Sequence, residues 1–127
     1  MTAATDQVLK LIDGFNTMNM DAILGCFADG AVYHNIPMQP VIGHDAISAT
    51  LAGFMSASTE VVWELVHVAE NNGVVLTERV DKFKINGTWI ALPVMGTFEV
   101  SDAGITEWRD YFDLADFQSQ FAAAVGG

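Results

Sequence analysis

The chain has 127 residues, a length that builds one domain with one sizeable core. Sixteen acidic residues stand against five basic ones (Lys10, Arg79, Lys82, Lys84 and Arg109), giving a formal net charge of −11. That balance excludes the clustered Lys and Arg on which nucleic acid and anionic membranes are bound. Cys26 is the only cysteine, so an intrachain disulfide and a paired-cysteine zinc site are excluded too. No apolar run reaches about 18 residues. The start, Met1-Thr2-Ala3-Ala4, lacks the basic and apolar pattern of a signal peptide, so a cytoplasmic protein is expected. Hydrophobic residues make up 51 % of the chain, enough for a core with apolar surface left for a pocket or a dimer interface.

Val8, Leu11, Ile12 and Phe15 fall at i, i+3, i+4 and i+7, which predicts an amphipathic helix over 5–18 with Thr5 as its N-cap. A short helix follows at 20–28, with Asn19 before it and Asp29-Gly30 ending it. Residues 31–36 read as a strand, and Pro37, Pro40 and Gly43 as an irregular loop. A third helix spans 44–57 and carries Ile47, Leu51, Phe54 and Met55. The period then changes to that of strands, at 60–70, 74–85, 88–100 and 105–113. Asn86-Gly87 is the strongest hairpin signal, because a type I′ turn needs positive φ at both central residues. A last helix covers 114–124, with Leu114, Phe117 and Phe121 inward. The order ααβαββββα predicts a single α+β domain over 1–127. Its sheet is mixed or antiparallel, strongly curled and wrapped around the N-terminal helices as a cone with an open mouth.

Strand alternation assigns the charges to faces. Arg79, Asp81 and Phe83 share one face of 74–85, while Lys82 and Lys84 take the other. The Asn86-Gly87 turn pairs 81 with 92 and 79 with 94, so Arg79 and Asp81 sit beside Leu92 and Val94 on an apolar face. The next turn decides between Asp110 and Asp113, which point to opposite faces. A four-residue loop pairs 100 with 105 and turns Asp113 inward. A three-residue loop, Asp102-Ala103-Gly104, pairs 101 with 105 and 96 with 110, turning Trp108, Asp110 and Phe112 inward. Gly104 suits the left-handed position that ends such a loop, which favours this register. Gly96 then leaves space beside Asp110 for a water or a substrate. Arg79, between the two aspartates, has the fork to bridge them. Since Asp81 and Asp110 are two strands apart, roughly 10 Å on a flat sheet, a shared site requires a strong curl. Tyr33 and Asn35 alternate onto one face of their strand and offer neutral groups that can hold a water.

Three motifs, Tyr33-His34-Asn35-Ile36-Pro37, Thr77-Glu78-Arg79-Val80-Asp81 and Trp108-Arg109-Asp110-Tyr111-Phe112-Asp113, resemble the limonene-1,2-epoxide hydrolase family over nearly the whole chain. The resemblance implies the cone-shaped, cystatin-like roll shared with ketosteroid isomerase and nuclear transport factor 2, and a homodimer. It implies a hydrolase without cofactor or metal, opening a small or medium apolar epoxide with water to a vicinal diol. Carried over to this sequence, Asp110 is the base, Tyr33 and Asn35 help it hold the water, Asp81 is the acid, and Arg79 bridges the carboxylates. Apolar substrate contacts are expected from Ile12 and Phe15 of the first helix and from Phe54, Trp63 and Phe83. Leu92, Val94, Trp108, Phe112 and Phe117 complete that expected lining.

Other readings stand beside this one. A buried Arg–Asp pair is often purely structural. An isomerase or cyclase acting on a steroid- or polyketide-like substrate, or a non-catalytic binding module, is compatible with the same fold. The three histidines read as incidental, with His44 a candidate helix cap, His67 on a strand surface and His34 facing away from Tyr33. Glu99 and Glu107 read as a solvated strand face, Cys26 as a buried helix residue, and the methionines, Trp63, Trp89 and Trp108 as core or dimer interface.

Overall fold

In the computed structural model, which describes residues 2–126, the first helix α1 runs Ala3–Asn16, and its cap is Thr2. The Thr2 hydroxyl accepts from the Thr5 amide, so Thr5 lies inside the first turn and is not the cap. Helix α2 is shorter than expected, Met20–Leu24, and is capped by Asn19, whose side chain accepts from the Ala22 amide. Strand β1 begins early, at Phe27–Asn35, and runs through Asp29-Gly30 with Gly30 at φ +71°. The expected helix end is therefore part of a strand. The loop with the two prolines contains a two-residue strand, β2 (Val41–Ile42), antiparallel to β1. Helix α3 is His44–Met55.

The meander then follows as β3 (Glu60–Asn71), β4 (Val74–Ile85), β5 (Thr88–Ser101) and β6 (Gly104–Tyr111), before helix α4 (Leu114–Gly126). The six strands form one sheet in the order β2-β1-β6-β5-β4-β3, with β1 and β6 parallel and the other neighbours antiparallel. It is an α+β fold with a mixed sheet. The sheet is not closed: β2 and β3 are its two edges, so the strong curl expected from the sequence is an overstatement. Helix α1 lies against β3, β4, β5 and β6 on the inner face, where Val8, Leu11 and Phe15 join Phe98, Ile105 and Trp108 in the core. Among the described residues no helix is long and apolar enough to cross a membrane.

Asn86 and Gly87 have φ of +51° and +78°, the signature of the expected type I′ turn, and β4 pairs Asp81 with Leu92 and Arg79 with Val94. The β5–β6 turn differs. Ser101 pairs with Gly104 across a two-residue loop and Val100 pairs with Ile105, the pairing that by itself turns Asp113 inward. A bulge then inserts Thr106 opposite the Glu99/Val100 step, and from Glu99–Glu107 onward the register is the other one, with Gly96 opposite Asp110. The aspartate on the inner face is the expected one, but a bulge puts it there and not a three-residue loop. Gly104, at φ +120°, is still needed for a tight approach, since a Cβ there would lie 2.8 Å from the Cys26 carbonyl oxygen.

Deleting Thr106 removes the bulge and joins the two stretches of pairing into one regular ladder, with Glu107 still opposite Glu99 and Asp110 still opposite Gly96. Trp108 and Asp110 would therefore keep their inward face. The deletion is expected to keep a cooperative thermal transition by circular dichroism, and loss of that transition would show that the bulge is needed for more than register. Thr106→Ala, which keeps the extra residue and loses one exposed side-chain bond to the Glu99 carbonyl, is expected to cost less than about 1 kcal/mol.

Candidate active site

Arg79 is 1 % exposed, in the middle of β4, and its side chain is bonded at every donor. Nε donates to Asp81 Oδ1 at 2.9 Å. Nη2 donates to Asp81 Oδ2 and to Asp110 Oδ2, both at 2.8 Å. Nη1 donates to Asp110 Oδ1 at 3.2 Å and to the Thr77 hydroxyl at 3.1 Å. A guanidinium has five N–H donors, so none is left over. The Trp63 ring lies 4.5 Å from Cζ and covers a face of the cation.

Asp81 and Asp110 therefore meet through Arg79 although β5 separates their strands. Gly96 of β5, opposite both Thr77 and Asp110, makes this possible. A Cβ on Gly96 would lie 2.4 Å from Arg79 Nη1 and 2.7 Å from Asp110 Oδ1. The space expected beside Asp110 for a water or substrate is filled by the guanidinium, which crosses the intervening strand over a missing side chain. A long side chain and a glycine do the work assigned to a strong curl.

Asp110 takes a further bond from the Trp108 indole, Nε1 to Oδ1 at 2.7 Å. Trp108 is fully buried and stacked on Tyr33 with ring centroids 4.2 Å apart. The Tyr33 hydroxyl donates to Asn35 Oδ1 at 3.1 Å, which leaves the Asn35 amide N–H groups free to donate. Tyr33 and Asn35 reach the site because β1 runs parallel to β6, with Tyr33 beside Trp108 and Asn35 beside Asp110.

Tyr33, Asn35, Ser58, Asp81 and Asp110 form the polar part of a cavity whose other walls are apolar. The cavity contains about 610 Å³ of space, open mouth included. Phe15, Phe54, Trp63, Phe83, Leu92, Val94, Phe112 and Phe117, all among the expected apolar contacts, line it. Ile12 and Trp108 do not: both are in the core behind the wall, and Trp108 reaches the site only through its indole N–H. Leu51, Met55, Ser58 and Val61 also line the cavity and escaped the sequence reading. Leu51 and Met55 flank Phe54 at helical spacing on α3, a signal that identifies them. Thr77 was overlooked as well, and only its buried hydroxyl beside Arg79 reveals its part.

The histidines are elsewhere. His34 Nε2 lies 2.8 Å from the Met38 carbonyl oxygen, and His67 pairs with Glu78 on the surface. His44 does not cap α3, whose N-cap is Gly43; its ring bonds the Phe27 carbonyl oxygen. Glu99 and Glu107 share Arg109. Cys26 is buried as expected, but in the turn between α2 and β1 and not in a helix.

Burial pushes Asp81 up to about 6, against the pull of Arg79 and with a further push from Asp110. Burial, and then the Asp110 charge, raise Tyr33 well above the usual phenol range and keep it a hydrogen-bond donor. Burial alone would lower Arg79, but the charges of Asp110 and Asp81 outweigh it and the guanidinium stays protonated.

The limonene-1,2-epoxide hydrolase catalytic domain family matches residues 2–123. The chain belongs to that family. The epoxide hydrolase EphG of Mycobacterium tuberculosis (strain ATCC 25618 / H37Rv) is 33 % identical over 113 residues, spanning 89 % of this chain and 73 % of that protein. An M. tuberculosis epoxide hydrolase of the limonene-epoxide-hydrolase-like type has a solved structure that superposes with a TM-score of 0.79 at 26 % identity, over 97 % of this chain and 92 % of the other. A candidate SnoaL-like polyketide cyclase from Shewanella denitrificans OS-217 superposes with a TM-score of 0.85 at 16 % identity, over 97 % and 99 % of the chains, a likeness of fold.

Because the folded Asp81 carboxyl holds its proton to higher pH than an unfolded one, the folded state binds more protons between about pH 4 and 6. Its contribution to stability is present below that window and lost as pH rises through it. The parent chain is therefore expected to lose about 2–3 kcal/mol relative to Asp81→Asn between pH 4 and 6, whatever the offset between the two at pH 4. Urea denaturation series of both chains across that window measure the change.

Proposed function

We propose that this chain is a cofactor-independent epoxide hydrolase, opening a small or medium apolar epoxide to a vicinal diol in one step. The observation that carries the proposal is the Asp81–Arg79–Asp110 bridge beside Tyr33 and Asn35 in a mostly apolar cavity. Epoxide opening needs a base for the attacking water and an acid for the departing oxygen at the same moment. Asp110, bonded by donors at both oxygens, is the carboxylate that takes a proton from water, which Asn35 and Tyr33 help to hold. Asp81, raised to about 6, exchanges its proton near neutral pH and gives it to the epoxide oxygen. The water oxygen bonds to carbon as the C–O bond breaks, and the net transfer from Asp81 to Asp110 is reset through solvent. The apolar wall favours a hydrocarbon epoxide over a charged one.

Incubation with styrene, cyclohexene and limonene oxides in ¹⁸O water is expected to give labelled diols from at least one. A product of unchanged mass points instead to an isomerase or cyclase, and no turnover of any epoxide at enzyme excess points to a binding module. Asp110→Asn and Asp81→Asn are each expected to lose about 10²–10⁴-fold in kcat while staying folded. Asp113→Asn, whose carboxylate accepts from the Asp116 amide at the start of α4, is expected to keep its rate.

The proposal includes a cytoplasmic homodimer. On the outer face of the sheet Met95 and Tyr111 are paired across β5 and β6 and about half exposed, with exposed Val62 and Val66 further along the face. Light scattering on the purified chain is expected to give twice the chain mass, and Met95→Glu is expected to halve it.

A further inference from the structure

The two aspartates share one guanidinium but differ in what else they accept. Among the described residues Asp81 accepts side-chain hydrogen bonds from Arg79 alone, two of them. Asp110 accepts two from Arg79 and a third, the shortest in the cluster, from the Trp108 indole. An indole N–H is a donor only, and its bond is roughly twice as strong to an ionised acceptor as to a neutral one. The ring cannot turn away, because it is stacked on Tyr33 and Phe98 with centroids 4.2 and 5.3 Å away and packed edge-on against Phe15.

Resting on the acid–base assignment above, we infer that Trp108 is a positioning residue that allocates the proton of the aspartate pair, keeping Asp110 the base and leaving the proton to Asp81. The charged and titratable groups facing Asp110 are Arg79 and Asp81 from β4 and Tyr33 from β1. The cavity residues supplied by α1, α3 and α4, namely Phe15, Leu51, Phe54, Met55 and Phe117, carry no charge. Arg79 gives each carboxylate two bonds, at 2.9 and 2.8 Å to Asp81 and at 3.2 and 2.8 Å to Asp110, so the guanidinium by itself does not favour Asp110 as the ionised partner; the indole touches Asp110 alone. It also occupies Oδ1, which leaves Oδ2, with one donor, as the oxygen that receives the proton from water. With Asp81 raised by burial, the pair is split from both sides.

The test is removal of the N–H with the ring kept, by Trp108→Phe and by replacing Trp108 with 3-benzothienylalanine, which has nearly the same shape and no N–H. With an epoxide that is turned over, the acidic limb of the kcat profile is expected to move up by about one pH unit and kcat to fall about tenfold, with KM little changed. Carboxyl ¹³C resonances of the two aspartates give a second readout that needs no substrate. In the parent chain the first proton goes to Asp81 as pH falls, and in both variants that preference shrinks by about one unit. A lower thermal midpoint with an unmoved acidic limb, or with unmoved carboxyl titrations, would overturn the inference and leave Trp108 a packing residue. If the phenylalanine variant does not fold, the benzothienyl variant decides. Because the carboxyl titration is independent of turnover, an enzyme inactive on every epoxide refutes the proposed reaction without touching the proton allocation.

Discussion

Arg79 is a full positive charge at the centre of a β-sheet, fully desolvated, and tolerable there only because all five of its N–H groups have acceptors. Much of the surrounding structure serves that condition. The Asn86-Gly87 turn sets the β4–β5 register that puts Gly96 beside Thr77. Gly96 leaves the gap through which the side chain crosses β5. The Thr106 bulge then turns Asp110, and not its neighbours, toward the incoming guanidinium. If any of the three fails, a charge is left unpaired in an apolar interior, at a cost of about 3–5 kcal/mol.

The same arrangement leaves an imbalance that chemistry can use. One cation faces two carboxylates, and the other walls of the cavity are mostly aromatic and aliphatic side chains. A second ionised aspartate is expensive in such a place, so the pair tends to hold a proton, and Asp81 shows this in its rise to about 6. The aromatic cluster of Phe15, Trp63, Tyr33 and Trp108 makes the region rigid while its polar tips supply the remaining hydrogen bonds. Packing and electrostatics are thus joined in the same residues: Trp108 is core by its ring and site by its N–H.

Fold similarity extends well beyond the chain's own family, since a candidate cyclase at 16 % identity superposes better than an epoxide hydrolase at 26 %. The roll is a container compatible with several reactions, and the reaction has to be argued from the polar groups of its cavity. Here those groups come from three strands, β1, β4 and β6, that only a mixed sheet brings together.

Much of this was legible in the chain itself. Period-2 alternation assigned Arg79 and Asp81 to the buried face, two positive-φ residues at Asn86-Gly87 fixed their partners, and three motifs pointed to the family. Such features are local, so short-range sterics and side-chain periodicity decide them. What stayed hidden depended on contacts between distant segments. The early start of β1 and the strand β2 are set by tertiary hydrogen bonding more than by propensity. The Thr106 bulge has no sequence signature, yet it chose the face of Asp110. The sequence alone determined which residues could form a bridged pair of aspartates. Whether they met across an intervening strand was decided by tertiary structure, because that meeting depends on the length of one arginine, the absence of one Cβ at Gly96, and an indole brought in from the core.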